Sequence, residues 1–280
     1  MKYILCLLFL IQIKNCKSET LPSQKKISPQ ISNTKSIIDN YSINNVDKNA
    51  IGKKIEDQNT IKHLKKLLSQ SLDREIERPY MWDIFTSSND TLLQFHNYKD
   101  FVLNNTTFKS YYIKANYEDA KYQCILTINE TSNNIYNGMI VYEQLNSEEK
   151  YQRTSEVQGD KIILKFLRER SSKSMIFQIK NGLFLDYFDV QNIDQRWGNK
   201  ELTHSNTAVY EYQLKGKANN HLKNGYWIEK RYSTDYRKTV IEDGNYINGI
   251  KDGEWNYSPD GPVDKIEVYK DGKVIKTYSP

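Results

Sequence analysis

The sequence predicts a mainly β protein: an antiparallel β-sheet body continued by C-terminal β-hairpin repeats, with one N-terminal amphipathic helix. Three observations carry this reading. Tyrosine is abundant, at 21 residues beside 9 Phe and 4 Trp, and a ring that covers apolar surface while its hydroxyl stays wet suits a half-buried strand. Apolar and polar residues alternate through the middle of the chain, the period of a strand with one buried face. Glycines preceded by Asn or Asp punctuate the C-terminal part, and tight hairpin turns need both residue types because both tolerate positive φ. At 280 residues the chain can bury a core in one large or two modest domains.

Residues 1–15 read as a signal peptide. Lys2 is followed by an apolar run from Tyr3 to Ile13 broken only by Gln12, too short to span a bilayer as a helix but suited to the apolar core of a secretory signal. Two endings stay open. In one, Cys16 is the lipidation site: with Ile13 three residues before it and Lys17-Ser18-Glu19-Thr20 behind it, the segment resembles a bacterial lipoprotein signal. That resemblance implies a protein anchored by lipid to the membrane at the cell envelope, outside the cytoplasm. In the other, cleavage after Ser18 gives a secreted protein. Cys6 leaves with the signal, and a lipidated Cys16 leaves Cys124 alone. Cys124 lies in Tyr122-Gln-Cys-Ile-Leu-Thr-Ile128, on the apolar side of a strand, and reads as a core residue. Without lipidation, a Cys16 to Cys124 disulfide is open.

Charge divides the chain. Met1 to Lys66 holds twelve lysines and five acids, so with a formal total of +5 the remainder nets −2. The body is therefore no nucleic-acid surface. Residues 16–59, rich in Lys, Asn and Ser with Pro22 and Pro29, show no sustained period and read as a flexible tether. Its lysines lie either against an anionic lipid surface or in solvent.

Residues 60–213 read as a helix plus an antiparallel β body. Ile61, Leu64, Leu68, Leu72 and Ile76 recur every three or four residues and Pro79 ends the run, predicting a helix over Thr60–Arg78 capped by Asn59 or Thr60. Its apolar stripe is expected to pack on the sheet. Tyr111, Ile113, Ala115 and Tyr117 alternate with polar residues, as do Tyr122, Cys124, Leu126 and Ile128, predicting one-sided strands. Ile162, Leu164 and Phe166 follow a turn at Gln158-Gly159-Asp160. A two-residue turn at Asn181-Gly182 pairs Ile179 with Phe184, Phe177 with Asp186 and Met175 with Phe188. This sets the Asp186 carboxylate among apolar neighbours, where it needs a partner. Val209 to Leu214 is the strand expected to lead into the repeats.

Residues 214–280 hold the repeats. Five turn signals are Asp243-Gly244, Asn248-Gly249, Asp252-Gly253, Pro259-Asp260-Gly261 and Asp271-Gly272, and Gly225-Tyr226-Trp227 echoes Gly253-Glu254-Trp255. The run Gly244, Tyr246, Gly249, Gly253, Trp255, Tyr257, then Tyr269, Gly272 and Lys273 resembles the bacterial variant of the MORN (membrane occupation and recognition nexus) repeat. The match is specific from Asp243 to Lys273 and looser back to Gly216, where the register of the first unit is open. The resemblance implies stacked hairpins, usually non-catalytic, used for membrane association, scaffolding or protein contacts, and in related families as antitoxin-like neutralisers. A single hairpin cannot bury its own aromatic face, so units must stack. The candidate repeat or binding residues are Tyr226, Trp227, Tyr246, Gly249, Gly253, Trp255, Tyr257, Tyr269 and Gly272. Their rings form either an aromatic core or an exposed groove for a ligand. The last strand, Val274 to Tyr278, leaves an edge on which Lys273 and Lys276 discourage pairing, or which accepts a partner strand.

No signature of catalysis is found: no nucleophile elbow, phosphate loop, dinucleotide fingerprint, His-Glu-x-x-His or Cys-x-x-Cys. His63, His96, His204 and His221 lack ligand spacing. Asp186, Asp189 and Asp194 are close in sequence but lack the glycine and terminal glutamate of a calcium loop. The sequence thus predicts a non-enzymatic protein with no catalytic residues, cofactor or metal. Its expected partner is a protein, glycan or lipid at the envelope, besides the membrane itself through Cys16. The competing reading is a surface hydrolase with its site within residues 80–213 and the repeats as an accessory binding part.

Overall fold

The computed structural model describes residues 41–73, 93–116, 121–146, 151–168, 171–197, 211–233, 238–259 and 261–280. The signal peptide, Cys16, most of the tether, helix positions 74–78, Tyr117, His204, Val209 and Asp260 lie outside them. The protein is mainly β and antiparallel, and the described residues form two sheets and one α-helix.

The first sheet is a meander of β2 (Gln94–Leu103), β3 (Thr106–Asn116), β4 (Lys121–Ile128), β5 (Gly138–Asn146), β6 (Tyr151–Gln158), β7 (Lys161–Arg168), β8 (Ser171–Lys180) and β9 (Leu183–Asp186). Part of the expected tether belongs to it. The strand β1 (Tyr41–Ile43) pairs with Ser155–Val157 of β6, where β5, which covers Tyr151–Arg153, has left that edge free. Residues 52–55 bond to the outer edge of β2 through Gly52 N to Asn97 O and Ile55 N to Phe95 O, both at 2.8 Å. These backbone groups would otherwise present an open edge.

The sheet curls so that its first and last hairpins meet. Asn104 Nδ2 donates to Ile179 O at 2.8 Å, and the Phe108 and Phe184 rings are 4.8 Å apart. Strands β3 to β5 are consequently buried on both faces, not one. Phe108, Tyr112, Ile125 and Val141 point into the curl, while Tyr111, Ile113, Ala115, Cys124 and Leu126 point outward under α1 (Gln58–Asp73). Leu64, Leu67 and Leu68 of the helix complete that second core. The cap is Asp57 rather than Asn59 or Thr60, its Oδ2 accepting from Thr60 N and Thr60 Oγ1 at 2.7 Å each.

The second sheet is a seven-stranded meander: β10 (Asn192–Trp197), β11 (Glu211–Asn219), β12 (Leu222–Ser233), β13 (Lys238–Ile247), β14 (Ile250–Ser258), β15 (Lys265–Lys270) and β16 (Lys273–Tyr278). It begins at Asn192, upstream of the expected boundary at 213, because β10 pairs with β11. Its inner face packs on Leu183 and Leu185 of β9 in the first sheet and on Tyr136 in the connection between β4 and β5. Asn134 Nδ2 fastens the two by donating to Asp271 O at 2.7 Å.

Candidate functional site

The inner face of the second sheet repeats itself: Gly216, Lys223 and Trp227 recur at one constant interval as Gly244, Lys251 and Trp255. Gly216 and Gly244 each carry a tryptophan ring: a Cβ on Gly216 would lie 2.2 Å from Trp227 Cδ2, and one on Gly244 2.5 Å from Trp255 Cδ2. The indole Nε1 atoms of Trp227 and Trp255 donate to the carbonyls of Lys217 and Asn245, both at 3.1 Å. Lys223 and Lys251 accept through their carbonyls from Gly249 N at 2.8 Å and Gly272 N at 3.1 Å. The first unit is therefore in register with the second, which the sequence left open.

This geometry reassigns two of the expected turns. Asn248-Gly249 and Asp271-Gly272 are two-residue hairpin loops with positive φ at both positions, as a type I′ turn requires. Asp243-Gly244, however, lies inside β13, where the glycine makes room for an indole. Gly253 lies inside β14 at φ 73°, next to a register shift between β13 and β14, and is a bulge residue rather than a turn. A Cβ on Gly253 meets open space, whereas one on Gly272 would lie 2.5 Å from Asn134 Nδ2. Gly253→Ala is thus expected to cost about 1–3 kcal/mol from backbone strain alone. Gly272→Ala should cost more, because it also dislodges the fastening to the first sheet; urea unfolding of the two variants checks the order.

An aromatic ladder runs across the strands. Trp227, Tyr246, Trp255 and Tyr269 follow one another edge to face, with centroid distances of 6.1, 4.9 and 6.5 Å, the arrangement ring quadrupoles favour. All four are buried, as is Tyr257. Tyr226 is not brought to them: one residue out of phase, it lies on the outer face, 57% exposed, donating to Asp243 Oδ2 at 2.8 Å.

Among the rings lies a lattice of charge that the sequence reading did not single out. Glu229 is fully buried and binds Lys223 and, at 2.6 Å, Arg231 Nε. Arg231 Nε also meets Glu242 Oε1 at 3.0 Å, and Lys251 Nζ meets Glu242 Oε2 at 2.6 Å. Lys223 Nζ reaches Asp186 Oδ2 at 2.5 Å, the partner that the register Phe177 to Asp186 demanded. The expected pairing of Met175 with Phe188 does not form, since β9 ends at Asp186 and Phe188 turns to the Trp227 ring, 5.4 Å away. Each lysine ammonium also sits over rings, Lys223 4.8 Å from Tyr246 and Lys251 3.9 Å from Trp255, which adds cation–π attraction.

Burial alone would raise the Glu229 carboxyl, but the charges of Arg231 and Lys223 override it and hold it far below the usual carboxylate range. Burial works against the Arg231 charge too, yet Glu229 keeps that guanidinium protonated. For Lys251 burial wins and lowers its pKa despite Glu242. Burial and the nearby carboxylates push Tyr246, Tyr257 and Tyr269 upward, so these hydroxyls stay protonated.

Asp186, Arg231, Glu242, Lys251 and the three tyrosines line a partly open cavity of about 450 Å3, bounded by Ser69 and Gln70 of α1, by Ile135 and Tyr136 between β4 and β5, and by the inner face from Val240 to Val274. Elsewhere, Cys124 is buried in the core under α1. Asp189 and Asp194 are exposed, whereas Asp186 belongs to the cavity wall. Among the described residues no three His, Cys, Asp or Glu side chains are grouped to hold a metal. Comparison with protein-family models, curated proteins and solved structures finds no match for this chain.

Proposed function

We propose that this is an exported, lipid-anchored, non-enzymatic protein of the MORN-variant kind, which binds a protein, glycan or lipid partner at the cell envelope through its second sheet. The observation that supports it best is the cavity, whose described carboxylates are held by lysine or arginine. General acid–base chemistry needs a group that changes protonation near the working pH. Arg231, held protonated by Glu229 behind it, is a fixed charge on the cavity wall, suited to orienting a ligand rather than moving its protons, while Lys251 on the same wall is lowered by burial and stays paired with Glu242. The interior of the first sheet, where a hydrolase site would be sought, is packed with Phe108, Ile125, Val141, Ile162 and Phe184.

Two measurements test the reading. Cys16→Ala is expected to move the protein from the detergent phase to the aqueous phase after membrane extraction; unchanged partitioning would remove the anchor. Affinity purification under mild lysis should yield one stoichiometric partner, lost with Val274→Arg at the exposed rim of the cavity and kept with Tyr226→Glu on the outer face. Absence of a partner, or the reverse pattern, would count against the second sheet as the binding part.

A further inference from the structure

Arg231 is held by one side only. Its Nε is shared by Glu229 and Glu242, and among the described residues its Nη2 has a single long contact, 3.5 Å to Asp186 Oδ2. Its Nη1 is buried and has no hydrogen-bond partner among the described residues, although the side chain is only 8% exposed and lines the cavity. Buried donors are nearly always satisfied, and the outer edge of a guanidinium offers two parallel N–H groups that match an oxyanion.

The charge balance of the walls agrees. Lys66, Arg231, Lys251 and Lys265 face Asp186, Glu242 and Glu267, four bases against three acids. Lys251 is tied to Glu242 at 2.6 Å and Lys265 to Glu267 at 3.1 Å. Lys66, exposed on α1, forms no ion pair with a described residue. The surplus is one positive charge. The remaining wall is apolar or aromatic, with Val240, Ile135 and the tyrosines, and a volume near 450 Å3 suits a small molecule rather than a polymer.

We propose that the cavity binds a small organic anion: one carboxylate or phosphate seated on the Nη1 and Nη2 edge of Arg231, near Lys66, with a flat apolar body against Val240 and the tyrosine wall. This rests on the reading of the second sheet as a binding module and names what it takes.

The test uses the purified full chain with benzoate and phenyl phosphate as probes and benzamide as the uncharged control, followed by calorimetric titration. At least one anion should bind saturably at one site, at least tenfold tighter than benzamide, and which of the two binds distinguishes carboxylate from phosphate. Arg231→Gln should abolish that binding. Because this variant also loosens the lattice, Lys66→Glu on the exposed helix face provides the second arm: its melting temperature should stay unchanged while anion affinity falls at least threefold. Saturation by neither anion, equal binding of benzamide, or indifference to Lys66→Glu would each overturn the proposal. Such a failure with partner capture intact would leave the binding module standing, and lost partner capture with anion binding intact would do the opposite.

Discussion

Gly244→Val is expected to unfold the second sheet. The new Cβ would enter the Trp255 indole, 2.5 Å from Cδ2 and 2.6 Å from Cε2, distances no side chain adopts. The backbone cannot yield, because Gly244 is paired on both sides, to Trp227 and Trp255. The ring must therefore leave a site where it is fully buried, packs on Tyr246 and donates to Asn245 O. The expected loss is about 3–5 kcal/mol, the scale for removing a buried tryptophan, out of a total stability of roughly 5–15 kcal/mol. Denaturant unfolding measures it. In a Trp255→Ala background the same valine should cost much less, since the clash is already gone, and this non-additivity distinguishes a steric seat from a general dislike of valine at the position.

Glu229→Gln is expected to be nearly as severe, for an electrostatic reason. The carboxylate is wholly buried, neutralises Lys223 and Arg231 and accepts from Tyr246 at 3.1 Å. The amide is isosteric but leaves both cations short of a counter-charge, and breaking a buried pair from one side costs about 3–5 kcal/mol. The same lattice sets the acid limb of stability. A carboxyl whose folded pKa lies below its unfolded value contributes stability that is complete above the unfolded value, about 4.3 for Glu. That contribution is lost as pH falls toward the folded pKa, because the unfolded chain takes up the proton first. Burial opposes the charged form of Glu267, but Tyr269 and Lys265 hold it low as well, so it adds in the same direction. Wild-type stability should drop steeply below about pH 4.3, and Glu229→Gln should flatten that drop; an unchanged acid limb would mean the pairing is not formed in solution.

Much of this architecture was legible in the residues, and the exceptions have physical causes. Asn181-Gly182, Asn248-Gly249 and Asp271-Gly272 announced their hairpins because few residue pairs tolerate positive φ at both positions. Gly244 announced a turn in the same language but serves a tryptophan, and local sequence cannot separate a glycine needed for φ from one needed for space. The two-sided burial of β3 to β5 was hidden because Tyr112 and Ser110 read as the wet face of a strand, and only the curl of the sheet turns them inward. The cap is ambiguous in the sequence because Asp57, Asn59 and Thr60 are all capping residue types, and Asp57, three residues before Thr60, is the one that accepts its amide.

The charge lattice is legible in strand parity. Along β12, Lys223, Glu229 and Arg231 share the parity of Trp227, and along β13 and β14, Glu242 and Lys251 share that of Tyr246 and Trp255. Period-two bookkeeping puts these charges on the buried face with the rings, and opposite charges in phase with buried tryptophans imply pairing. Of the aromatic candidates, Trp227, Tyr246, Trp255, Tyr257 and Tyr269 lie together on the inner face, whereas Tyr226, whose even number in β12 gives it the other parity, lies on the outer face. The need of the half-buried Asp186 carboxylate for a partner is legible in the sequence, and Lys223 and Arg231 reach it from β12 in the other sheet.

The most direct measurement is a proton NMR spectrum of the glycine Hα resonances with selective glycine labelling. If Trp227 and Trp255 lie face-on over Gly216 and Gly244, one Hα of each glycine sits in the shielding cone of an indole and resonates well upfield of the other glycines, with both shifts abolished by the corresponding Trp→Leu variants. Ordinary glycine shifts at both positions would contradict the glycine-seated tryptophan unit on which the binding sheet is built.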